Sequence, residues 1–152
     1  MPGRYLEHFQ PGVVLRHSQG HTITQAENEQ FTRMTLNTSP LHLDPEYMKT
    51  TEFGRPLVNS CLTFSLMVGV SVADTTEGTA IANLGYDELR FPQPVFPGDT
   101  LRFETEVLAA RASRSRTDAG IVKLAHRCYN QRNELVATCQ RDVLVQRQPT
   151  GA

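Results

Sequence analysis

The longest apolar segment of the chain runs from Leu57 to Ala73 and is interrupted only by Asn59, Ser60, Thr63, Ser65, Gly69 and Ser71. It is too short and too polar to span a membrane. It reads as a helix that Asn59 or Ser60 caps and that ends near Ala73. Its central run, CLTFSLMVGVSVA, is apolar on nearly every face. A helix of that kind has no side to turn to water and must be surrounded by protein. Whatever else the chain contains has to supply that cover.

The cover follows directly. After Asp74 the sequence changes to alternating, β-rich runs, which predict strands at 79–85, 87–92, 100–112, 119–131 and 135–147. Pro92, Pro94 and Pro97-Gly98-Asp99 punctuate the first part. The stretches 112–119 and 131–134 carry turn chemistry and read as hairpin tips. A sheet buries its apolar face against a helix, and the only candidate is 59–73. The expected fold is therefore α+β, an antiparallel sheet wrapped around a long central helix. A length of 152 residues suits one domain over 1–152 with one core. An open sheet of this kind leaves an edge, so a homodimer that hides it is expected, alone or assembled further as a dimer of dimers or trimer of dimers.

Ahead of the central helix the chain is mixed. Residues 1–12 end in a Pro11-Gly12 turn, and short edge strands are expected at 13–16 and 21–23. Thr24-Gln25-Ala26-Glu27 is a capping-box pattern that starts a first helix, whose apolar positions Ala26, Phe31, Met34 and Leu36 fit a helical period imperfectly and leave its C-terminal end open. Asp44-Pro45-Glu46 starts a second, short helix ending near Thr50 or Thr51. Gly54-Arg55-Pro56 breaks it. Between these helices lies His42, preceded by Thr35, Asn37, Thr38 and Ser39. An unperturbed imidazole titrates near pH 6.5, which suits it to proton transfer.

Four motifs now stand in order: Asn37-Thr-Ser-Pro-Leu-His-Leu-Asp-Pro, Phe53-Gly-Arg-Pro-Leu-Val-Asn-Ser, Asn83-Leu-Gly and Pro94-Val-Phe-Pro-Gly-Asp99. Together, over roughly residues 20–147, they resemble the MaoC-like, R-specific enoyl-CoA hydratase family. That resemblance implies the hot-dog fold. It also implies an enzyme, a lyase that adds or removes water across the double bond of an enoyl-CoA thioester. The family's motif, Asp-x-Asn-Pro-x-His, puts its histidine on His42, its aspartate on Asn37 and its asparagine on Ser39. A glycine whose backbone N–H faces the thioester oxygen falls on Ser60, and the histidine before it on Asn59. The resemblance thus makes His42, Asn37 and Ser60 the catalytic set, with Ser39, Asn59, Arg55 and Gly85 binding substrate. No cofactor is implied beyond coenzyme A as part of the substrate.

The chain departs from the family at Asn37. A carboxamide orients a water molecule but does not take its proton near neutral pH. Three readings follow. His42 performs both proton transfers; another carboxylate, such as Asp87 or Glu88, replaces the missing one; or the site binds thioesters without hydrating them. Asn at positions 37 and 59 makes the mouth of the site neutral, which favours an acyl group bearing its own carboxylate, such as itaconyl- or mesaconyl-CoA, with Arg55 as its partner. The wording around the motif also resembles the subgroup associated with such substrates. A hot-dog acyl-CoA thioesterase and a non-catalytic acyl-CoA-binding domain are the alternatives.

The remaining features exclude more than they add. Fifteen basic against sixteen acidic residues leave no electrostatic footprint for nucleic acid. No apolar leader opens the chain, and three cysteines suit free thiols in a reducing cytoplasm. Cys61, beside Ser60, reads as a small buried hydrophobe. No Cys or His cluster has zinc spacing, so no metal is expected. The basic residues at 111, 114, 116, 123 and 127 either meet the phosphates of coenzyme A or form a solvated hairpin tip.

Overall fold

The computed structural model describes residues 3–149 of the protein. After a 3-10 turn at Leu6–His8, the elements run β1 (Val14–Arg16), β2 (His21–Thr22), α1 (Gln25–Met34), α2 (Pro40–Leu43), α3 (Pro45–Met48), α4 (Ser60–Thr75), β3 (Ala80–Arg90), β4 (Thr100–Ala112), β5 (Ala119–Tyr129) and β6 (Leu135–Gln146). The sheet is antiparallel with strand order β1-β4-β5-β6-β3, and β2 also pairs with β4. The expected α+β sheet-on-helix architecture is present. No helix among the described residues is long and apolar enough to cross a membrane.

The local chemistry explains the boundaries. Thr24 and Glu27 form the full capping box at the start of α1. Asp44 Oδ1 accepts from the amides of Glu46 and Tyr47 and caps α3. Asn59 Oδ1 accepts from the Cys61 amide and caps α4. The alternating pattern of β4, β5 and β6 puts Leu101, Phe103, Val122, Leu124, Cys128 and Val143 on one buried face. Met67 of α4 packs there with Ile23, Val58, Val95 and Val136. Burying one side chain of that size contributes about 1.5–3 kcal/mol. A second cluster, around Val107, Val122 and Val145, is closed by Leu6 and Phe9 of the opening segment.

Four expectations need correction. The two strands expected at 79–85 and 87–92 are one strand, β3, with register shifts after Ala80, Asn83 and Asp87. Bulges absorb the irregularities, and Glu88 sits at a positive φ of 52° without ending the strand. His42 lies in an additional short helix, α2, which Ser39 caps and Pro40 starts. The apolar positions expected in α1 do not make its buried face: Asn28 and Thr32 are buried and Phe31 is half-buried, whereas Ala26, Met34 and Leu36 are exposed. Helix α4 is covered on one side only. Thr63, Met67, Ser71 and Thr75 form its buried stripe, while Leu62, Phe64, Leu66 and Val70 are half-buried. A single sheet reaches one face of a helix, so one chain does not enclose α4.

Candidate active site

A cavity of about 320 Å3 opens between α2, the start of α4, the 91–95 loop and β6. Its walls are Leu41, Leu57, Val58, Phe91, Pro94, Val95 and Val136, and its polar groups are His42, Ser60, Thr63 and Gln93. The lining is mostly apolar with a few convergent polar groups, which is the composition of a small-ligand site.

His42 is half-buried on α2. Its Nδ1 lies 2.8 Å from the Leu57 carbonyl oxygen. A carbonyl only accepts, so Nδ1 is the donor in this contact, and Nε2 has no partner among the described residues. The ring is held because Leu57 is itself held: its amide donates to the Leu41 carbonyl at 2.9 Å. The carboxamide of Asn28, fully buried on α1, donates to the same Leu57 oxygen at 2.9 Å. Asn28 Oδ1 accepts from the Asn59 amide at 2.8 Å. Gln25 adds a hydrogen bond to the His42 carbonyl at 2.9 Å. One face of α1 therefore ties the histidine to the first turn of α4.

Ser60 is the first residue of α4 and lines the cavity. Among the described residues its backbone N–H enters no hydrogen bond, since the capping bond from Asn59 goes to Cys61 and the amides of Leu62 and Thr63 go to the Asn59 carbonyl. A free N–H at the positive end of a helix dipole is a donor for an oxyanion. His42 and Ser60 thus line one cavity from elements locked to each other.

The other residues expected at the site do not line this cavity. Asn37 Oδ1 accepts from the Ser39 amide at 2.9 Å, and Ser39 Oγ accepts from the Leu41 amide. Both side chains shape the turn that leads into α2, and neither lines the cavity. Asn59 is buried, with its Nδ2 donating to Thr32 Oγ1 at 3.2 Å, so it joins α1 to α4. Arg55 stacks its guanidinium over Phe96, 4.1 Å from the ring centroid, outside the cavity lining. Gly85 lies on β3 beside a register shift, opposite Asp142, and does not line the cavity.

Neither candidate replacement carboxylate reaches the cavity. Asp87 faces Lys123 at 3.9 Å and Glu88 faces Arg90 at 3.4 Å. Cys61 is exposed rather than buried, because the α4 face that carries it points away from the sheet. Cys128 and Cys139 are buried, and burial pushes their thiols up to about 12 and about 11. Most of the basic stretch is internally paired: Arg116 with Asp118, Lys123 with Asp142, and Arg127 with Glu104 and Glu106.

Several site residues carry no signal in the sequence read alone. Asn28 is one of many polar residues in α1, Thr63 is one of several hydroxyl residues in α4, and Val136 belongs to an alternating strand like many others. The 91–95 loop is marked by its prolines, although nothing in them states which way it folds.

A family model described as a MaoC-like domain matches residues 8–127. The chain is 31% identical over 150 residues to a mesaconyl-CoA hydratase of Cereibacter sphaeroides, covering 99% of this chain and 43% of that protein. It spans less than half of that relative's length. It is 36% identical over 113 residues to an (R)-specific enoyl-CoA hydratase of Aeromonas caviae, covering 74% of this chain and 79% of that one. A Mycobacterium tuberculosis protein with a double hot-dog fold superposes with a TM-score of 0.87 at 25% identity, over 99% of this chain and 46% of its own. The sheet and helix described above are that hot-dog architecture.

Proposed function

This chain belongs to the family of MaoC-like domains, and from that premise we propose that it adds water to, or removes it from, a short-chain enoyl-CoA thioester. The observation that carries this reading is the pairing of His42 with Ser60 across one cavity: an imidazole whose Nδ1 is committed to the Leu57 carbonyl, and a helix-terminal N–H with no other partner among the described residues. No carboxylate lines the cavity, so a single base performs both transfers. Nε2 of His42 takes a proton from water as the water oxygen bonds to the β-carbon. The π electrons move toward the thioester oxygen, where the Ser60 N–H stabilises the enolate. The same nitrogen returns the proton to the α-carbon. Dehydration is the reverse.

A cavity of about 320 Å3 suits a short acyl group. The similarity to a mesaconyl-CoA hydratase and the absence of acidic side chains from the lining support a branched, carboxylated one, mesaconyl- or itaconyl-CoA. Coenzyme A enters as part of the substrate and no cofactor is needed. The free cysteines suit a reducing cytoplasm. A second copy of the chain covers the outer side of α4 and the free edge of β3, giving a homodimer.

One observation favours a second reading, an acyl-CoA-binding domain without catalysis: Asn37 stands in place of the family's aspartate and is engaged in its own turn. The experiment is turnover of crotonyl-, mesaconyl- and itaconyl-CoA followed by mass spectrometry, for the wild type and for His42→Ala. The expected result is gain of one water by the wild type, falling on the order of 10²–10⁴-fold in the variant with an unchanged circular dichroism spectrum. Free acid and coenzyme A would instead identify a thioesterase. Binding without product would identify the binding domain, and full activity of His42→Ala would sink the mechanism.

A further inference from the structure

Helix α4 buries three hydroxyl side chains on the stripe that faces the sheet: Thr63, Ser71 and Thr75. Two of them are satisfied within the helix. Ser71 Oγ donates to the Val68 carbonyl and Thr75 Oγ1 to the Ser71 carbonyl, each at 2.6 Å. Thr63 does not follow. Its residue is 1% exposed, and its Oγ1 meets no donor or acceptor among the described residues. The other buried polar side-chain atoms in that position are Thr79 Oγ1, His126 Nε2 and Arg141 Nη1, and none of those residues lines the cavity. Thr63 does line it. A hydroxyl held away from water without a partner is costly unless a ligand completes it.

We propose that Thr63 Oγ1 is the specificity group of an oxygen-binding subsite in the cavity that Thr63 lines, which takes acyl thioesters carrying a second carboxylate. This rests on the hydratase reading for the placement of the thioester and deepens it. Ser60 and Thr63 stand one helical turn apart on the same face, a rise of about 4.5 Å. A thioester oxygen on the Ser60 N–H therefore brings a carboxylate at the far end of a four-carbon acyl group level with the Thr63 hydroxyl. The positive end of the α4 dipole favours the negative charge, and the Gln93 amide is a further polar group in the lining. An acyl chain ending in a methyl group would leave the hydroxyl unpaired.

The test is calorimetric binding of succinyl-CoA and butyryl-CoA, saturated thioesters of equal carbon count that cannot be hydrated, to the full chain and to Thr63→Val and Thr63→Ser. The wild type and Thr63→Ser are expected to prefer succinyl-CoA. Thr63→Val, which keeps the shape and removes the hydroxyl, is expected to lose about tenfold to a hundredfold of that preference. A wild type without the preference, or a Thr63→Val variant that keeps it, overturns the proposal. So does failure to bind either thioester. The hydratase reading is read separately, from water addition to mesaconyl-CoA: no addition with the succinyl preference intact overturns that reading and leaves the subsite standing.

Discussion

At Asn28 a carboxamide without access to solvent joins three segments of chain. It donates to the Leu57 carbonyl, accepts from the Asn59 amide and lies 3.5 Å from the His42 carbonyl. The first contact shares its acceptor with His42 Nδ1, so Asn28 fixes where that acceptor sits. Its replacement would leave the Asn59 N–H buried without a partner, at a cost of about 1–3 kcal/mol, and loosen the Leu57 oxygen as well. Asn28→Ala is therefore expected to lower the unfolding free energy by about 2–4 kcal/mol in urea titration. It is also expected to reduce kcat on the order of tenfold to a hundredfold, because the imidazole loses its positioning partner. A loss of stability with kcat intact would confine Asn28 to the scaffold.

Helices α1 and α4 and strand β3 leave apolar surface uncovered. On α1 the polar residues face inward and Met34 is 70% exposed. On α4 the outward positions Ser65 and Gly69 are exposed, and Phe31 of α1 faces Leu62, Leu66 and Val70 across a shallow groove. Among the described residues strand β3 pairs only with β6, which leaves its other edge free along Ala80–Arg90, and Ile81, Leu84 and Tyr86 are exposed on it. A free edge of that length invites another strand. Gly69 tests whether a partner covers these elements. Within one chain nothing lies within 4 Å of a side chain added there, so Gly69→Arg leaves the protomer intact. Sedimentation equilibrium is expected to show a dimer for the wild type and a monomer for Gly69→Arg. Identical masses would place the interface elsewhere or remove it.

Across the whole molecule a chain of polar contacts crosses the core under α4. Asp74 Oδ2 meets His17 Nδ1 at 2.6 Å, His17 Nε2 meets Thr105 Oγ1 at 2.8 Å, and Thr105 Oγ1 meets His126 Nδ1 at 2.9 Å. His126 is fully buried, and burial, with the Arg141 guanidinium and His17 nearby, pushes its pKa down to about 3. The unfolded chain binds that proton near pH 6.5. Between those values the unfolded state holds more protons than the native one, so stability falls as pH falls. The loss from this group is about 1.4 kcal/mol per pH unit. Unfolding free energies from pH 7 to 4 are expected to drop more steeply for the wild type than for His126→Gln, which does not titrate. Parallel profiles would show that His126 is not the source.

Taken alone, the sequence determined the α+β class, the cap sites at Thr24 and Asp44, the third cap to within one residue (Asn59 or Ser60), the central helix and the long antiparallel run after Asp74. Each of these rests on neighbours a few residues apart, and local periodicity and capping chemistry report such neighbours directly. His42 and Ser60 were legible as candidates through ordered motifs, and both line one cavity. The tertiary structure decided the rest. The end of α1 was hidden because Leu36, with φ 60°, fills the left-handed position that glycine usually marks. Asn37, Ser39 and Asn59 stand close in sequence to His42 or Ser60, yet their hydrogen bonds turn them into the scaffold. Thr63 and Val136 line the cavity from two separate elements, and Asn28 holds the Leu57 carbonyl behind it from a third. Which of many buried polar or apolar side chains meets a cavity depends on how sheet and helix pack, and no short stretch of sequence contains that information.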